Sequence, residues 1–448
     1  MGPPGSRSAR LYRDREAKAR TIHYRFVMFA RSVSFGLLNR LRAGRVELDD
    51  GSRRRSFGPR DAPLASTVRM HDDRFLSALP RGSLALAESY AEGSWDSDDL
   101  VTLVRIGARE LPRIDRWRRP LIPFRDAATR IPRNTREGAQ RHIAAHYDLG
   151  NDMFRLFLDE SMTYSCAFFE SPDVPLPDAQ QAKLDRICRK VELGPDDHLL
   201  EIGTGWGSLA RHAAEKYGSR VTTTTISREQ HALAVERVRE AGLDDRVTVL
   251  LEDYRDLRGR FDKLVSIEMI EAVGWQYFDT FFRHCGGLLR SDGLMLLQAI
   301  TIADRAYEIE KATRSFIKQL IFPAGCLPSV QVIRRCVERV TDLRMLDLED
   351  ITDHYPETLR RWRENFVRSE KRAAELGYDQ RFRRLWELYF AWCEGGFRER
   401  RIGDVQALLA KPSYRGYGSP LSRTRVLTES RNQAGCTICA AAAANRSS

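Results

Sequence analysis

The chain has 448 residues, 42% of them hydrophobic, and a formal net charge of +11. That apolar content excludes a wholly disordered chain and suffices for two domains, each with its own core. No window approaches the roughly 18 to 20 uninterrupted apolar residues of a membrane-spanning helix, so the chain reads as soluble or peripheral, and its arginine-rich surface favours anionic partners such as acidic phospholipid or nucleic acid.

Residues 1–20 are basic and lack the apolar core of a secretion signal, so a flexible N-terminus and a cytoplasmic location are expected. From Thr21 to Leu41, the residues Ile22, Phe26, Phe29, Val33, Leu37 and Leu41 recur at three- and four-residue steps among Arg25, Arg31, Arg40 and Arg42. This spacing predicts an amphipathic basic helix, packed on its own domain or a twin subunit, or lying on a membrane surface. "RVELDDGSRRRSF" predicts a hairpin turning at Asp50-Gly51. Helical periodicity resumes from Ser66 to Leu103, giving a small α+β N-terminal domain over 21–111, followed by an Arg/Pro-rich linker over 112–139.

Beyond the linker, "HLLEIG", "RVTTTTI", "RVTVLLED", "FDKLVSIEMI" and "GLMLLQAI" alternate with helical patterns. That alternation predicts an α/β fold with a parallel sheet covered by helices on both faces. A helical stretch with breaks, Pro328 to Leu409, closes a catalytic domain over 140–410, and the tail 411–448 is expected to be disordered. The cysteines are scattered; only Cys436 and Cys439 form a C-x-x-C, without a second ligand pair, so reduced thiols and no metal site are expected.

In "EIGTGWGSLARHAAEKYG" a strand ends at Ile202, a turn of Gly203, Thr204, Gly205, Trp206 and Gly207 follows, and a helix starts near Ser208. Missing side chains let the backbone approach a ligand, and the helix N-terminus offers unpaired N–H groups. The spacing is G-x-G-x-G, neither the dinucleotide G-x-G-x-x-G nor a phosphate loop ending in Gly-Lys-Ser/Thr. Glu201, two residues earlier, suits a cationic ligand, which points to S-adenosylmethionine. The second strand of such sites usually ends in an acidic residue that grips the ribose; here "VTTTTISREQ" offers Thr225, Ser227 and Gln230.

Several segments resemble the cyclopropane-fatty-acyl-phospholipid synthases and their mycolic-acid-modifying relatives: "HYDLGNDMFRLFLDESMTYSCAFF", "LLEIGTGWG", "TISREQ", "FDKLVSIEMIEAVG", "LIFPAGCLPS", "HYPETL" and "WCEGGFRERRIGDVQ", in family order from Gln140 to Leu409. The resemblance implies a Rossmann-like class I methyltransferase sheet and a reaction at a cis double bond of a phospholipid acyl chain, by way of a carbocation. It also implies a bound bicarbonate as the base, with Cys166, Glu271, Ile300 and Tyr355 at the positions of its ligands. Gln298 stands where the family usually has histidine, so an amide that cannot titrate would orient the anion; Ala272 likewise replaces a frequent histidine. Tyr164, Ser165, Gly203 to Gly205, Thr225 to Gln230, Asp253 and Tyr254 match cofactor positions, and Cys393 matches a cysteine once regarded as the nucleophile. His146 and Tyr147 match either helix-entry structure or the acyl pocket.

The leading expectation is therefore a cyclopropane synthase that uses S-adenosylmethionine and bicarbonate, homodimeric and peripheral on an anionic membrane. The alternative is a methylene- or 10-methyl-branched product made with a partner reductase, because "SIEMIEAVG" together with Gln298 resembles members of that branch. A nucleic-acid methyltransferase is the remote alternative; no basic-aromatic RNA motif supports it, and no nucleic-acid partner is expected.

Overall fold

The computed structural model describes residues 28–118 and 150–416. The basic N-terminus, the start of the amphipathic helix, the linker beyond Arg118 with His146 and Tyr147, and the tail beyond residue 416 with Cys436 and Cys439 lie outside the described residues. Two expectations are corrected within them: the linker reading over 112–118, where the helix Leu100–Arg118 runs on through Pro112, and the disordered tail over 411–416, where Lys411 and Ser413 N–H donate to the Gly293 and Ser291 carbonyls and Tyr414 is buried.

The N-terminal unit holds a four-stranded sheet of order β2-β1-β3-β4. β1 (Arg45–Asp49) and β2 (Arg54–Phe57) form the expected hairpin, with Gly51 at φ 81° in the turn and Asp50 Oδ1 accepting from the Ser52 and Arg53 N–H groups. The helical reading from Ser66 is corrected at its start and near its end, where β3 (Ala65–Met70) and β4 (Trp95–Ser97) pair antiparallel. In β3 only Ser66 and Val68 are buried, the alternation of a strand with one covered face.

The amphipathic helix is described over residues 28–38. Small residues Ala30 and Ser34 turn inward with Leu38, and Ser34 Oγ donates to the Leu76 carbonyl at 2.5 Å. Met28, Phe29 and Leu37 are left exposed, Phe29 at 68%.

The catalytic unit is a seven-stranded sheet of order β10-β11-β9-β8-β5-β6-β7. Its strands are β5 (His198–Ile202), β6 (Arg220–Thr225), β7 (Val247–Leu251), β8 (Phe261–Ile267), β9 (Leu289–Ile302), β10 (Arg344–Asp350) and β11 (Ile402–Ala410). β5 to β9 are parallel, as the alternating pattern predicts, while β11 runs antiparallel between β9 and β10. The all-helical reading of Pro328 to Leu409 is thus corrected by two strands. "IGDVQALLA" is a short, fully covered run that periodicity cannot tell from a buried helix.

β5 lies between β6 and β8, so strand order reverses at its carboxyl end, where ligands bind in open α/β sheets. The expectation of separate cores is also corrected. Val68, Tyr90 and Trp95 of the N-terminal unit share one apolar cluster with Phe154, Trp206 and Trp386 of the catalytic unit. The long helix Gln380–Arg398 makes this junction: Arg384 lies 4.1 Å over the Tyr90 ring and donates to the Tyr90 and Trp95 carbonyls. Glu399, just beyond it, accepts from Arg105 and Arg109.

Candidate active site

A cavity of about 1130 Å³ opens at the carboxyl ends of β5 and β8. Its wall includes Gly203 and Gly205 of the turn, Glu268 and Glu271 after β8, and Leu38, Leu79 and Leu103 of the N-terminal unit. That exceeds the roughly 300–1,000 Å³ of a single small-molecule pocket, so two ligands can share it.

Backbone geometry explains the turn. Gly203 (φ 104°), Gly205 (φ 52°) and Gly207 (φ 87°) all occupy the region that favours glycine. Gly203 and Thr204 N–H both donate to the Thr224 carbonyl, tying the turn to β6. Gly205 faces open space, whereas Gly207 is not in the cavity wall: it caps the helix Ser208–Tyr217, and a Cβ there would meet Ala234 at 3.4 Å. Ser227 also stands outside the wall, as the N-cap of Arg228–Glu240, accepting from Gln230 N–H. Thr225 Oγ1 donates to Gln230 Oε1 at 2.8 Å, leaving the amide nitrogen of Gln230 for a ligand. Asp253 and Tyr254 line the cavity, the Asp253 carboxylate gripped by Arg255 at 2.6 and 2.8 Å.

Glu201 is buried and accepts from Thr223 Oγ1 at 2.6 Å; burial pushes its carboxyl up to about 8, against the opposing pull of Thr223 and Lys183. Lys183, absent from the sequence-based site, is fully buried in the wall and donates to Ser165 Oγ at 2.7 Å. Burial pulls its ammonium down, countered mainly by the Glu268 charge. Tyr164 pairs with Tyr389, O to O at 2.9 Å, and lies in an aromatic wall with Trp362 and Phe322.

Two of the expected bicarbonate ligands, Cys166 and Tyr355, converge with Gln298 on Glu268, while Ile300 and Glu271 pair with each other. Glu268 directly follows β8 in the left-handed conformation (φ 47°), and its carboxylate accepts from Cys166 N–H (2.8 Å), Gln298 Nε2 (2.8 Å) and Tyr355 OH (2.6 Å). The Ile300 N–H is taken by Glu271 Oε1 at 2.5 Å. The Cys166 and Ile300 N–H groups, the Gln298 amide and the Tyr355 hydroxyl are thus each committed to a carboxylate of the chain itself, and a further anion would sit against Glu268; of the expected ligands only protonated Glu271 keeps, at Oε2, a group without a partner. The residues present do not fit the ion. Two more expectations are corrected: the Cys166 and Gln298 side chains do not reach the cavity wall, Cys166 contributing its backbone N–H and Gln298 standing behind Glu268.

β11 supports this arrangement from behind. Asp404 and Gln406 lie on one face, opposite Ile300 and Gln298 in register, and hold Gln298 through Asp404 Oδ2 (3.1 Å) and Gln406 Nε2 (3.0 Å). Burial and the Glu268 charge drive Asp404 well above the carboxylate range. The same causes push Glu271 up to about 8, and its Oε2 is buried without a hydrogen-bond partner. Cys393 lines the cavity with its thiol pushed up to about 12 by burial, which makes it a poor nucleophile.

These shifts set a pH dependence. Glu201 and Glu271 stay protonated in the folded protein to about 8, while in the unfolded chain they lose their protons near 4.5. Between those values the folded state holds more protons, so stability is greatest below the window, falls as pH rises through it, and levels off above. Thermal melts should show Tm declining by several degrees between about pH 5 and pH 8, and Glu271→Gln should flatten part of that decline; parallel profiles for the two proteins would contradict the protonated Glu271.

The sheet order and the glycine-rich turn at the reversal of strand order define a class I S-adenosylmethionine-dependent methyltransferase. A coclaurine N-methyltransferase structure, 18% identical and covering 72% of this chain at TM-score 0.56, shares this fold. The family model for mycolic acid cyclopropane synthetase matches residues 134–407, and the chain belongs to that family. Tuberculostearic acid methyltransferase UfaA1 of Mycobacterium tuberculosis is 42% identical over 363 residues, 78% of this chain and 84% of that protein. The cyclopropane-fatty-acyl-phospholipid synthase of Escherichia coli K12 is 39% identical over 357 residues, 78% of this chain and 88% of its own length. Mycolic acid cyclopropane synthase CmaA1, solved with SAH and CTAB, is 32% identical, covering 61% of this chain and 98% of its own at TM-score 0.57.

Proposed function

We propose that the protein methylates a cis double bond in a phospholipid acyl chain and releases a methylene-branched chain, the precursor of a methyl-branched fatty acid. The observation that carries this reading is the single cavity joining the glycine turn, the Glu268 cluster and the apolar wall of the N-terminal unit. When bound, S-adenosylmethionine supplies an electrophilic methyl group; Gly203, Gly205 and Gln230 would hold it, and the buried Glu201 and Lys183 would order the turn around it. Aromatic faces, including Tyr355 stacked on Phe397 at 4.2 Å, would stabilise a cation in the acyl chain.

The branched product is supported by Gln298, by the resemblance of "SIEMIEAVG" to that branch, and by the similarity to a tuberculostearic acid methyltransferase. A cyclopropane product is the second reading, favoured by the retained Cys393 and the Escherichia coli relative. No helix among the described residues is long and apolar enough to cross a membrane. In the proposed reading, exposed Phe29 and Leu37, with Arg40, Arg81 and Arg113 at the cavity wall, meet an anionic leaflet on the cytoplasmic side. The enzyme works there as a homodimer and passes its product to a reductase.

The test is gas chromatography with mass spectrometry of fatty-acid methyl esters from cells expressing the protein and fed methyl-deuterated methionine. A methylene-branched chain retaining two deuteriums, reducible to a methyl branch, is expected. A saturated ring carrying two deuteriums would install the second reading, and no labelled lipid from folded protein would reject both.

A further inference from the structure

We infer that Glu268 is the proton acceptor of the reaction, a side chain of the protein standing where a bound bicarbonate would otherwise be needed. The inference rests on the proposed alkylation of an acyl double bond and names the base within that site.

Three observations carry it. The Glu268 carboxylate receives all three donors of the cradle: a backbone N–H, an amide and a phenol. Every neighbour that holds it does so as a donor, which leaves Glu268 the acceptor of the cradle. Glu268 also borders the cavity, whereas Gln298, Asp404 and Gln406, which hold it in place, are fully buried behind it. Finally, its backbone is left-handed at φ 47°, a conformation that strains a non-glycine residue and persists where the surroundings enforce it. Glycine would sit there without strain, so the carboxylate is retained at an energetic cost.

The chemistry balances without a further reagent. The alkene π electrons form the new C–C bond to the transferred methyl carbon as the S–C bond breaks, and the adjacent chain carbon becomes cationic. A hydride shift from the methylated carbon moves the charge beside the new methyl. Glu268 then takes one methyl proton, the C–H electron pair becomes the second bond of the methylene, and the proton leaves to solvent when the cavity empties. Glu271 and Asp404, both held protonated, do not compete for this role.

The test uses purified full-length protein and two readouts. In the first, made without lipid, ¹³C-bicarbonate is titrated in the presence of S-adenosylhomocysteine and followed by NMR line broadening. Wild type should show no saturable binding, and Glu268→Gly, which suits the backbone and empties the cradle, should gain it. In the second, turnover of unsaturated phospholipid vesicles is measured in bicarbonate-depleted buffer. Wild type should be indifferent to depletion, Glu268→Gln should lose roughly 100-fold with S-adenosylhomocysteine affinity held within about threefold, and Glu268→Gly should recover roughly tenfold when bicarbonate is returned. Saturable bicarbonate binding by wild type, a bicarbonate requirement for its turnover, absence of rescue in folded Glu268→Gly, or near-normal turnover of Glu268→Gln would each overturn the assignment. If wild type converts no lipid, the proposed function fails, and the binding titration still decides which anion the cradle holds.

Discussion

Replacing Gly203 by valine is expected to weaken S-adenosylmethionine binding by roughly 100-fold or more, the largest effect of any single change in the turn. At φ 104° an L side chain is strained, and even a Cβ would lie 3.3 Å from Met269 Cβ and Cγ. Relief of either conflict moves the backbone that carries the Gly203 and Thr204 N–H bonds to Thr224, and the turn leaves β6. Because this variant is strained within the protein itself, Gly205→Ala is the companion: at φ 52° with open space around it, its methyl would meet only a ligand. The companion should keep Tm within a few degrees while losing roughly tenfold in affinity by isothermal titration calorimetry. Normal affinity in both variants would mean that the turn does not hold the cofactor.

Tyr355→Phe should lower turnover by roughly 100-fold while leaving cofactor affinity within about threefold, the signature of a preorganised donor removed from beside the reacting atoms. The hydroxyl donates to Glu268 Oε2 at 2.6 Å, and burial with the Glu268 charge holds the phenol far from ionising, so it is a donor at every working pH. The ring would remain, stacked on Phe397 at an interplanar angle of 16°, so the loss is one of charge placement more than of packing. Steady-state kinetics on vesicles read the split between kcat and KM. A variant with turnover near wild type would show that Glu268 is positioned without Tyr355 and would remove the phenol from the site.

Several features of this protein are legible in the chain alone. A glycine turn between a strand and a helix is local: the G-x-G-x-G spacing, the preceding Glu201 and the following amphipathic run lie within about one supersecondary unit, so their chemistry survives without knowledge of distant contacts. The parallel strands β5 to β9 are likewise visible as aliphatic runs between helical patterns. Glu268 could have been noticed in the quoted "SIEMIEAVG", as an acidic residue at the end of an apolar strand, and Asp404 as an acidic residue inside the buried run "IGDVQALLA". Neither position signals a role by itself, because charge at a strand end is usually solvated.

Tertiary structure alone decided what those residues do. Glu268 belongs to the end of β8, Cys166 to a loop more than 100 residues earlier, Tyr355 to a helix nearly 90 later, and Gln298, Asp404 and Gln406 to β9 and β11. Their meeting depends on β11 entering antiparallel beside β9, a pairing that no local propensity specifies, since strand order and register arise from the packing of the whole sheet. The amphipathic helix shows the same division. Its period was readable, but which side faces the core was settled by the close approach that Ala30 and Ser34 permit against Leu76, and this leaves Phe29 exposed and puts the half-exposed Leu37 in the cavity wall. The sequence by itself determined the methyltransferase scaffold and its cofactor turn, because those are local patterns. The fold decided that a carboxylate of the chain fills the anion cradle, because that depends on distances between elements remote in sequence.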